Sequence, residues 1–77
     1  MKVKVELQAY LEGYAPNGHA VFEYEIPEGT RVIDLVRQLG VPEELASVIV
    51  VGNASVGLAH PLKEADHVTL IPPLAGG

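Results

Sequence analysis

The end of this chain, "LIPPLAGG", combines residue types that suit a reacting carboxylate. Gly76 and Gly77 have no Cβ, so the backbone near the carboxylate can bend freely and approach another molecule closely. Pro72 and Pro73 restrict φ and favour an extended stem before the glycines. These residue types predict an extended stem that ends in an unhindered Gly-Gly pair.

Three histidines could suggest a metal site, but their spacing does not support one. His19, His60 and His67 lie on separate segments, without the His-x₃-His pair or the cysteines that zinc sites use. The chain has no cysteine, which excludes disulfides, thiolate metal sites and a cysteine nucleophile. We expect isolated surface histidines and no metal site.

Acidic residues offer another route to chemistry, because two carboxylates can act as general acid and base. Glu43 and Glu44 are adjacent, and Glu64 lies close to Asp66, but both pairs fall in predicted turns, where acidic side chains are usually solvated. No phosphate-binding G-x-x-x-x-G-K-[ST] loop occurs. The isolated chain is therefore predicted not to be an enzyme, and we expect it to bind no cofactor.

Composition limits the class of protein and its partners. The 77 residues carry a net charge of −5 and are 48% hydrophobic, which predicts one small globular domain rather than a nucleic-acid binder. An acidic chain favours protein partners with basic patches. Glu6 and Gln8 interrupt the N-terminal apolar residues, and no apolar stretch approaches the ~20 residues of a membrane span. We expect a cytoplasmic protein that binds neither nucleic acid nor membranes.

The first third of the sequence predicts two paired strands. Apolar and polar residues alternate over residues 3–11 and again over residues 20–26, which is the period of a strand with one buried face. Pro16, Asn17 and Gly18 form a turn signal between them. We therefore expect an antiparallel hairpin.

The period then changes to that of a helix. Apolar residues at i, i+3, i+4 and i+7 predict an amphipathic helix over residues 31–39. These residues are Val32, Leu35, Val36 and Leu39. Thr30 is the expected N-cap, and Gly40 is expected to end the helix. A further single turn is expected at residues 42–45, because proline suits the first position of a helix.

Three short strands are expected in the second half of the chain. The apolar run at residues 48–51 predicts a strand buried on both faces, and residues 54–57 predict a short edge strand. The last strand is expected at residues 67–71, where Pro72 stops it. This order of elements predicts an α+β fold, a mixed sheet of four to five strands with one main helix across one face.

In element order and tail, the chain resembles the ubiquitin-like β-grasp sulfur carriers. These include MoaD, the small subunit of molybdopterin synthase, and ThiS, the sulfur carrier of the thiamine pathway. The resemblance covers residues 3–77, through "PEGTRVIDLVRQLGVPEE" and "HPLKEADHVTLIPP", and is most specific in "PPLAGG", which is similar to the molybdopterin-synthase branch. Two turns depart from the pattern, since Ala65 replaces a usual glycine and Gly52-Asn53 replaces Asn-Gly. If position 65 needs a positive φ, either Ala65 carries backbone strain or the turn differs.

The resemblance implies a definite reaction at the chain end. A β-grasp domain at residues 1–71 would carry a tail at residues 72–77. An E1-like partner would use ATP to adenylate the Gly77 carboxylate, and sulfur would replace the adenylate to leave a thiocarboxylate. In the molybdopterin branch the tail then enters the large subunit of the synthase, or in a relative an analogous acceptor enzyme, and gives up its sulfur. The resemblance implies that the partners bind Ile71, Pro72, Pro73, Leu74, Ala75 and Gly76.

Other functions share the same kind of tail. The sulfur could serve thiamine, another metabolite or the tungsten form of the pterin cofactor, and a ubiquitin-like modifier would be joined through Gly77 to lysines of its targets. A β-grasp binding module with an idle tail is a third hypothesis.

In a carrier, we expect Val21, Leu58 and Ile71 to form an apolar docking patch on the sheet face away from the helix.

Overall fold

A computed structural model describes residues 1–73, which form a five-stranded sheet with one α-helix packed on one face. The strands are β1 (Lys2–Leu7), β2 (Val21–Glu25), β3 (Val48–Val51), β4 (Ala54–Val56) and β5 (His67–Ile71), and the helix is α1 (Val32–Leu39). Two short 3₁₀ helices lie at Ala9–Tyr14 and Glu43–Leu45, and the second confirms the single turn predicted at residues 42–45.

The sheet is mixed, and β5 is its central strand. The strand order is β2-β1-β5-β3-β4. β1 and β5 are parallel, whereas the other three pairs are antiparallel. The antiparallel pairing of β1 with β2, which places Val5 opposite Phe22, was predicted, and so was the edge position of β4. This arrangement is a ubiquitin-like β-grasp, which confirms the predicted α+β class.

The hydrophobic core lies between α1 and the inner face of the sheet. Alternate strand residues point into it from one side, and the predicted apolar stripe of α1 fills it from the other. The largest fully enclosed side chains are Leu7, Leu11, Leu35, Leu70, Val3, Val5, Val32, Val36 and Val68. Because α1 covers only one face, the opposite face of the sheet, the outer face, remains exposed.

The start of α1 differs from the prediction, whereas its end does not. Thr30 is not the N-cap, because its hydroxyl donates to the Pro27 carbonyl at 2.6 Å and is used in the preceding turn. The helix begins at Val32, and the Asp34 carboxylate accepts the Arg31 backbone N–H at 2.9 Å. Gly40 ends the helix as expected, with a left-handed φ of 78°.

The first strand is shorter than its alternating pattern indicated. β1 ends at Leu7, and Ala9 has a left-handed φ of 53°, which turns the backbone into the first 3₁₀ helix. The prediction of a strand through residue 11 was therefore wrong. Leu11 continues the apolar alternation because it is fully buried, but it reaches the core from the 3₁₀ helix.

The third strand is buried on one face rather than on both. Ile49 is buried, but Val48, its neighbour on the outer face, is 41% exposed. The prediction of two covered faces was wrong. Four consecutive apolar residues indicate hydrophobicity, but among residues 1–73 no second layer covers the outer face.

The turn before β5 keeps its geometry in spite of its alanine. Ala65 has a φ of 68°, so this position does require the left-handed conformation that glycine adopts without strain. Its N–H donates to the Lys2 carbonyl at 2.8 Å, and the Asp66 carboxylate accepts the Lys63 N–H at 2.8 Å. These hydrogen bonds hold the alanine in a strained conformation, as the departure from the family pattern indicated.

Candidate functional site

The predicted tail starts at the centre of the sheet. β5 lies between β1 and β3, and its last residue, Ile71, is opposite Val48. Pro72 follows and is buried, whereas Pro73 is exposed. Neither proline has a backbone N–H, so neither can donate to a continuing ladder. The chain therefore leaves the sheet directly after Ile71, and we call the described site residues Ile71, Pro72 and Pro73 the tail root.

The other residues predicted to act in the tail lie outside the described residues. They are Leu74, Ala75, Gly76 and Gly77. Their roles, and the boundary between domain and tail, stay predictions.

Tyr10 is a neighbour of the tail root that the sequence did not reveal. Its hydroxyl donates to the Pro73 carbonyl at 3.3 Å, although 63 positions separate the two residues. The predicted strand placed Tyr10 on the polar side of an alternating pattern, with no special role. Only the early end of β1 and the parallel pairing of β1 with β5 bring Tyr10 to the tail.

Apolar side chains of the outer face border the tail root. Val48 lies opposite Ile71, and Val50 lies opposite Thr69 one step further along β5. We call Ile71, Val48 and Val50 the outer patch. Val48 is 41% exposed, and the other two are half-buried. The predicted docking residue Val21 is also on this face and is 46% exposed, but Glu6 and Thr69 lie between it and the outer patch.

Leu58, the remaining residue of the predicted docking patch, is not on the outer face. It packs against the core, and its carbonyl accepts the Ile33 N–H at the start of α1 at 2.9 Å. The prediction was wrong because Leu58 lies in the loop after β4, where strand alternation does not set the direction of a side chain.

Charged residues occupy the part of the outer face further from the tail root. Lys2 and Glu23 form an ion pair at 3.9 Å, and the His67 imidazole lies 3.4 Å from the Glu6 carboxylate. Exposed pairs of this kind contribute little to stability. The outer face is therefore apolar beside the tail and charged away from it.

The acidic pairs singled out in the sequence have structural contacts. The Glu64 carboxylate accepts the Lys2 N–H at 3.1 Å, while that of Asp66 caps the Lys63 N–H. Glu43 pairs with Arg37 at 3.3 Å. These contacts hold turns and strand ends in place.

The histidines lie on separate segments of the fold, since His19 precedes β2, His60 follows β4 and His67 begins β5. Within residues 1–73, no group of three or more His, Cys, Asp and Glu side chains could hold a metal ion. No helix in this part of the chain has the length and apolar character needed to cross a membrane.

Comparison with known proteins identifies the family. The model of the ThiS family matches residues 15–77, which is most of the chain. The chain belongs to the ThiS family. Membership confirms the resemblance to MoaD and ThiS, the ubiquitin-like sulfur carriers, which rested on element order and on the tail. A sequence search of curated proteins found no match.

Solved structures support both the fold and the family. A protein assigned as molybdopterin converting factor, subunit 1, from Pyrococcus furiosus is 31% identical with a TM-score of 0.75, over 96% of this chain and 99% of that one. SAMP1 from Haloferax volcanii is 19% identical with a TM-score of 0.74, over 100% of both chains. A complex of subunits 1 and 2 of molybdopterin-converting factor from Helicobacter pylori gives 24% identity and a TM-score of 0.61, over 100% of both chains. The last two share too little sequence to show more than the fold.

Proposed function

We propose that this chain is a sulfur carrier in the biosynthesis of the molybdenum or tungsten cofactor, as the small subunit of a molybdopterin synthase. An E1-like enzyme adenylates the Gly77 carboxylate with ATP, and a sulfur nucleophile then displaces AMP to leave a thiocarboxylate. The chain supplies the reacting carboxylate and binds no cofactor of its own. Its partner enzymes carry out the catalysis.

The observation that carries this proposal is the similarity to the Pyrococcus furiosus subunit, at 31% identity over nearly the whole of both chains. The sequence "PPLAGG" adds to it, because the resemblance to the molybdopterin-synthase branch is strongest there. Both observations concern the pterin branch rather than the fold in general.

The geometry of the tail root suits a carrier. Ile71 pairs with Val48 at the end of the central strand, and burial of Pro72 extends that support one residue further. A partner that binds the tail therefore meets a fixed starting point, which lowers the ordering cost of insertion. We propose that the outer patch is the docking surface, because it borders this point and would bury apolar area when a partner covers it.

The partner that receives the sulfur would be a second subunit, like subunit 2 in the Helicobacter pylori complex, where subunits 1 and 2 form a protein–protein complex. An acceptor from the thiamine pathway is the alternative within the same chemistry.

A second candidate is a ubiquitin-like protein modifier joined to lysines through Gly77. The observation that favours it is the match to SAMP1, a small archaeal modifier protein, over the full length of both chains. Both candidates begin with an adenylated Gly77, so they separate only after activation.

The decisive experiment is a mass measurement on the C-terminal peptide. The chain is incubated with a cognate activating enzyme, ATP and a sulfur source, and then cleaved with trypsin. Cleavage after Lys63 releases residues 64–77, which contain no methionine, so oxidation of Met1 cannot imitate the change. We expect one oxygen of the peptide to be replaced by sulfur. An unmodified carboxylate, with an enzyme that activates a known carrier, would contradict the proposal.

A further step separates the branches. The thiocarboxylated chain is mixed with a molybdopterin synthase large subunit and a pterin precursor, and in parallel with a thiazole-forming enzyme of the thiamine pathway. We expect sulfur to leave Gly77 only in the first mixture. A lysine-linked adduct that survives reducing agent would favour the modifier.

A further inference from the structure

A side chain from the other end of the sequence contacts the tail root. The Tyr10 hydroxyl donates to the Pro73 carbonyl, the last carbonyl that the structure describes. Tyr10 is 52% exposed, so core packing does not account for its position. The oxygen–oxygen distance of 3.3 Å makes this a long and modest hydrogen bond.

The two prolines explain why a side chain would be needed at this point. Pro72 and Pro73 have no N–H, so the stem cannot be fixed by donating to a neighbouring strand. Its carbonyls can only accept, and a donor must come from elsewhere. The ladder between β1 and β5 ends where the Gln8 N–H donates to the Leu70 carbonyl at 3.1 Å. Tyr10 supplies the next donor along the stem.

The backbone conformation around Tyr10 places its side chain beside Pro73. Ala9 adopts a left-handed φ of 53°, which costs about 1–2 kcal/mol for a residue with a side chain. This turn ends β1 and starts the first 3₁₀ helix, whose Leu11 is fully buried and anchors it. Strain of this kind persists where the surrounding structure requires it and is concentrated at functional sites.

We propose that Tyr10 is a positioning residue, whose hydroxyl holds the Pro73 carbonyl and thereby sets the direction in which the tail leaves the sheet. The inference rests on the proposed function, because this direction matters only if the tail must enter the site of a partner. Tyr10 takes no part in the chemistry at Gly77. Its hydrogen bond restricts the directions in which the stem can leave the sheet, so less ordering is required when a partner binds.

The test compares Tyr10→Phe with a matched control. The variant keeps the ring and removes only the donor. Tyr14→Phe makes the same change in the same 3₁₀ helix, and no hydrogen bond of the Tyr14 hydroxyl occurs among residues 1–73. Both variants should fold, which far-UV circular dichroism checks.

The first readout is independent of any partner. The carbon-13 shift of the Pro73 carbonyl, read through the amide of Leu74, reports whether the carbonyl accepts a hydrogen bond. We expect it to move upfield in Tyr10→Phe and to stay unchanged in Tyr14→Phe. An unchanged shift in Tyr10→Phe would overturn the inference, whatever the chain does in the cell.

The second readout is the kinetics of adenylation by the activating enzyme. We expect the KM for the carrier to rise about two- to fivefold in Tyr10→Phe with kcat unchanged, the effect of losing one modest hydrogen bond. Tyr14→Phe should leave both constants unchanged. A moved carbonyl shift with an unchanged KM would show that the hydrogen bond exists but does not position the tail. If the wild-type chain is never adenylated, the proposed function fails and the kinetic role of Tyr10 fails with it, while the carbonyl shift still decides whether the hydrogen bond forms.

Discussion

Replacing Ala65 by glycine should stabilise the fold, against the usual direction of an alanine-to-glycine change. Ala65 has a φ of 68° in the turn before β5, and its side chain is exposed, so the substitution removes little buried surface. Its N–H, which donates to the Lys2 carbonyl, is kept in the variant. The effect therefore reduces to backbone conformation.

Two opposing contributions set the size of the effect. A residue with a side chain pays about 1–2 kcal/mol in the left-handed conformation, which glycine avoids. Glycine gives the unfolded chain more freedom, which costs about 0.4–1 kcal/mol. We therefore expect the free energy of unfolding to rise by about 0.5–1 kcal/mol, or the Tm by about 2–8 °C for a domain of this size.

Urea and thermal unfolding followed by far-UV circular dichroism measure this difference. Ala59→Gly is the matched control, because Ala59 is also exposed but is not among the residues with positive φ. There only the entropic cost applies, and we expect a loss of about 0.4–1 kcal/mol. If Ala65→Gly destabilises the protein as much as the control does, position 65 stores no strain and the reasoning is refuted.

Three further variants test the core, the outer patch and the tail. Leu35→Ala should lower the free energy of unfolding by about 2–5 kcal/mol, because it leaves a cavity at a fully buried position. A loss below about 1 kcal/mol in urea unfolding would contradict that burial. Val48→Asp should raise the KM for activation about tenfold, because an unpaired carboxylate would be buried under the partner. The free energy of unfolding should change by less than about 1 kcal/mol. An unchanged KM would show that the outer patch is not a docking surface. Deletion of Gly76 and Gly77 should abolish thiocarboxylate formation, measured by peptide mass, without lowering Tm, whereas retained sulfur transfer would indicate that another group carries the sulfur.

The sequence predicted those parts of the fold in which local pattern and tertiary structure agree. The apolar stripe of α1 and the alternation in β2 each have one buried face, so their periods report their environment directly. Gly40 was correctly predicted to end α1, because a helix end often requires a residue in the left-handed conformation, and that requirement is local.

Prediction from the sequence failed where the same residue pattern is compatible with two structures. Leu11 is buried in a 3₁₀ helix at the position where a longer β1 would also have buried it, so alternation could not locate the end of the strand. The apolar run of β3 showed strong hydrophobicity but could not show that Val48 on the outer face is exposed. Thr30 is a good capping residue, yet its hydroxyl is satisfied by Pro27.

The candidate site likewise has features that the sequence shows directly and one contact that depends on the tertiary structure. The carboxylate on two glycines and the two prolines are local features, and the sequence shows them directly. The hydrogen bond between Tyr10 and Pro73 joins residues 63 positions apart and depends on the pairing of β1 with β5. No periodic pattern encodes such a contact, because it follows from topology.

Under the proposed function, the position of β5 gives the reacting tail a base at the centre of the sheet. Its inward side chains Val68 and Leu70 are fully buried, and β1 and β3 pair with it on both sides, so the tail root directly follows a well-supported strand. The prolines end that support abruptly, because they cannot extend the ladder. We therefore expect a partner enzyme to enclose the chain end without opening the sheet, and loss of the glycines to leave the sheet intact. A tail that began on an edge strand such as β4 would be paired on one side only, and a pull on it could peel that strand from the sheet.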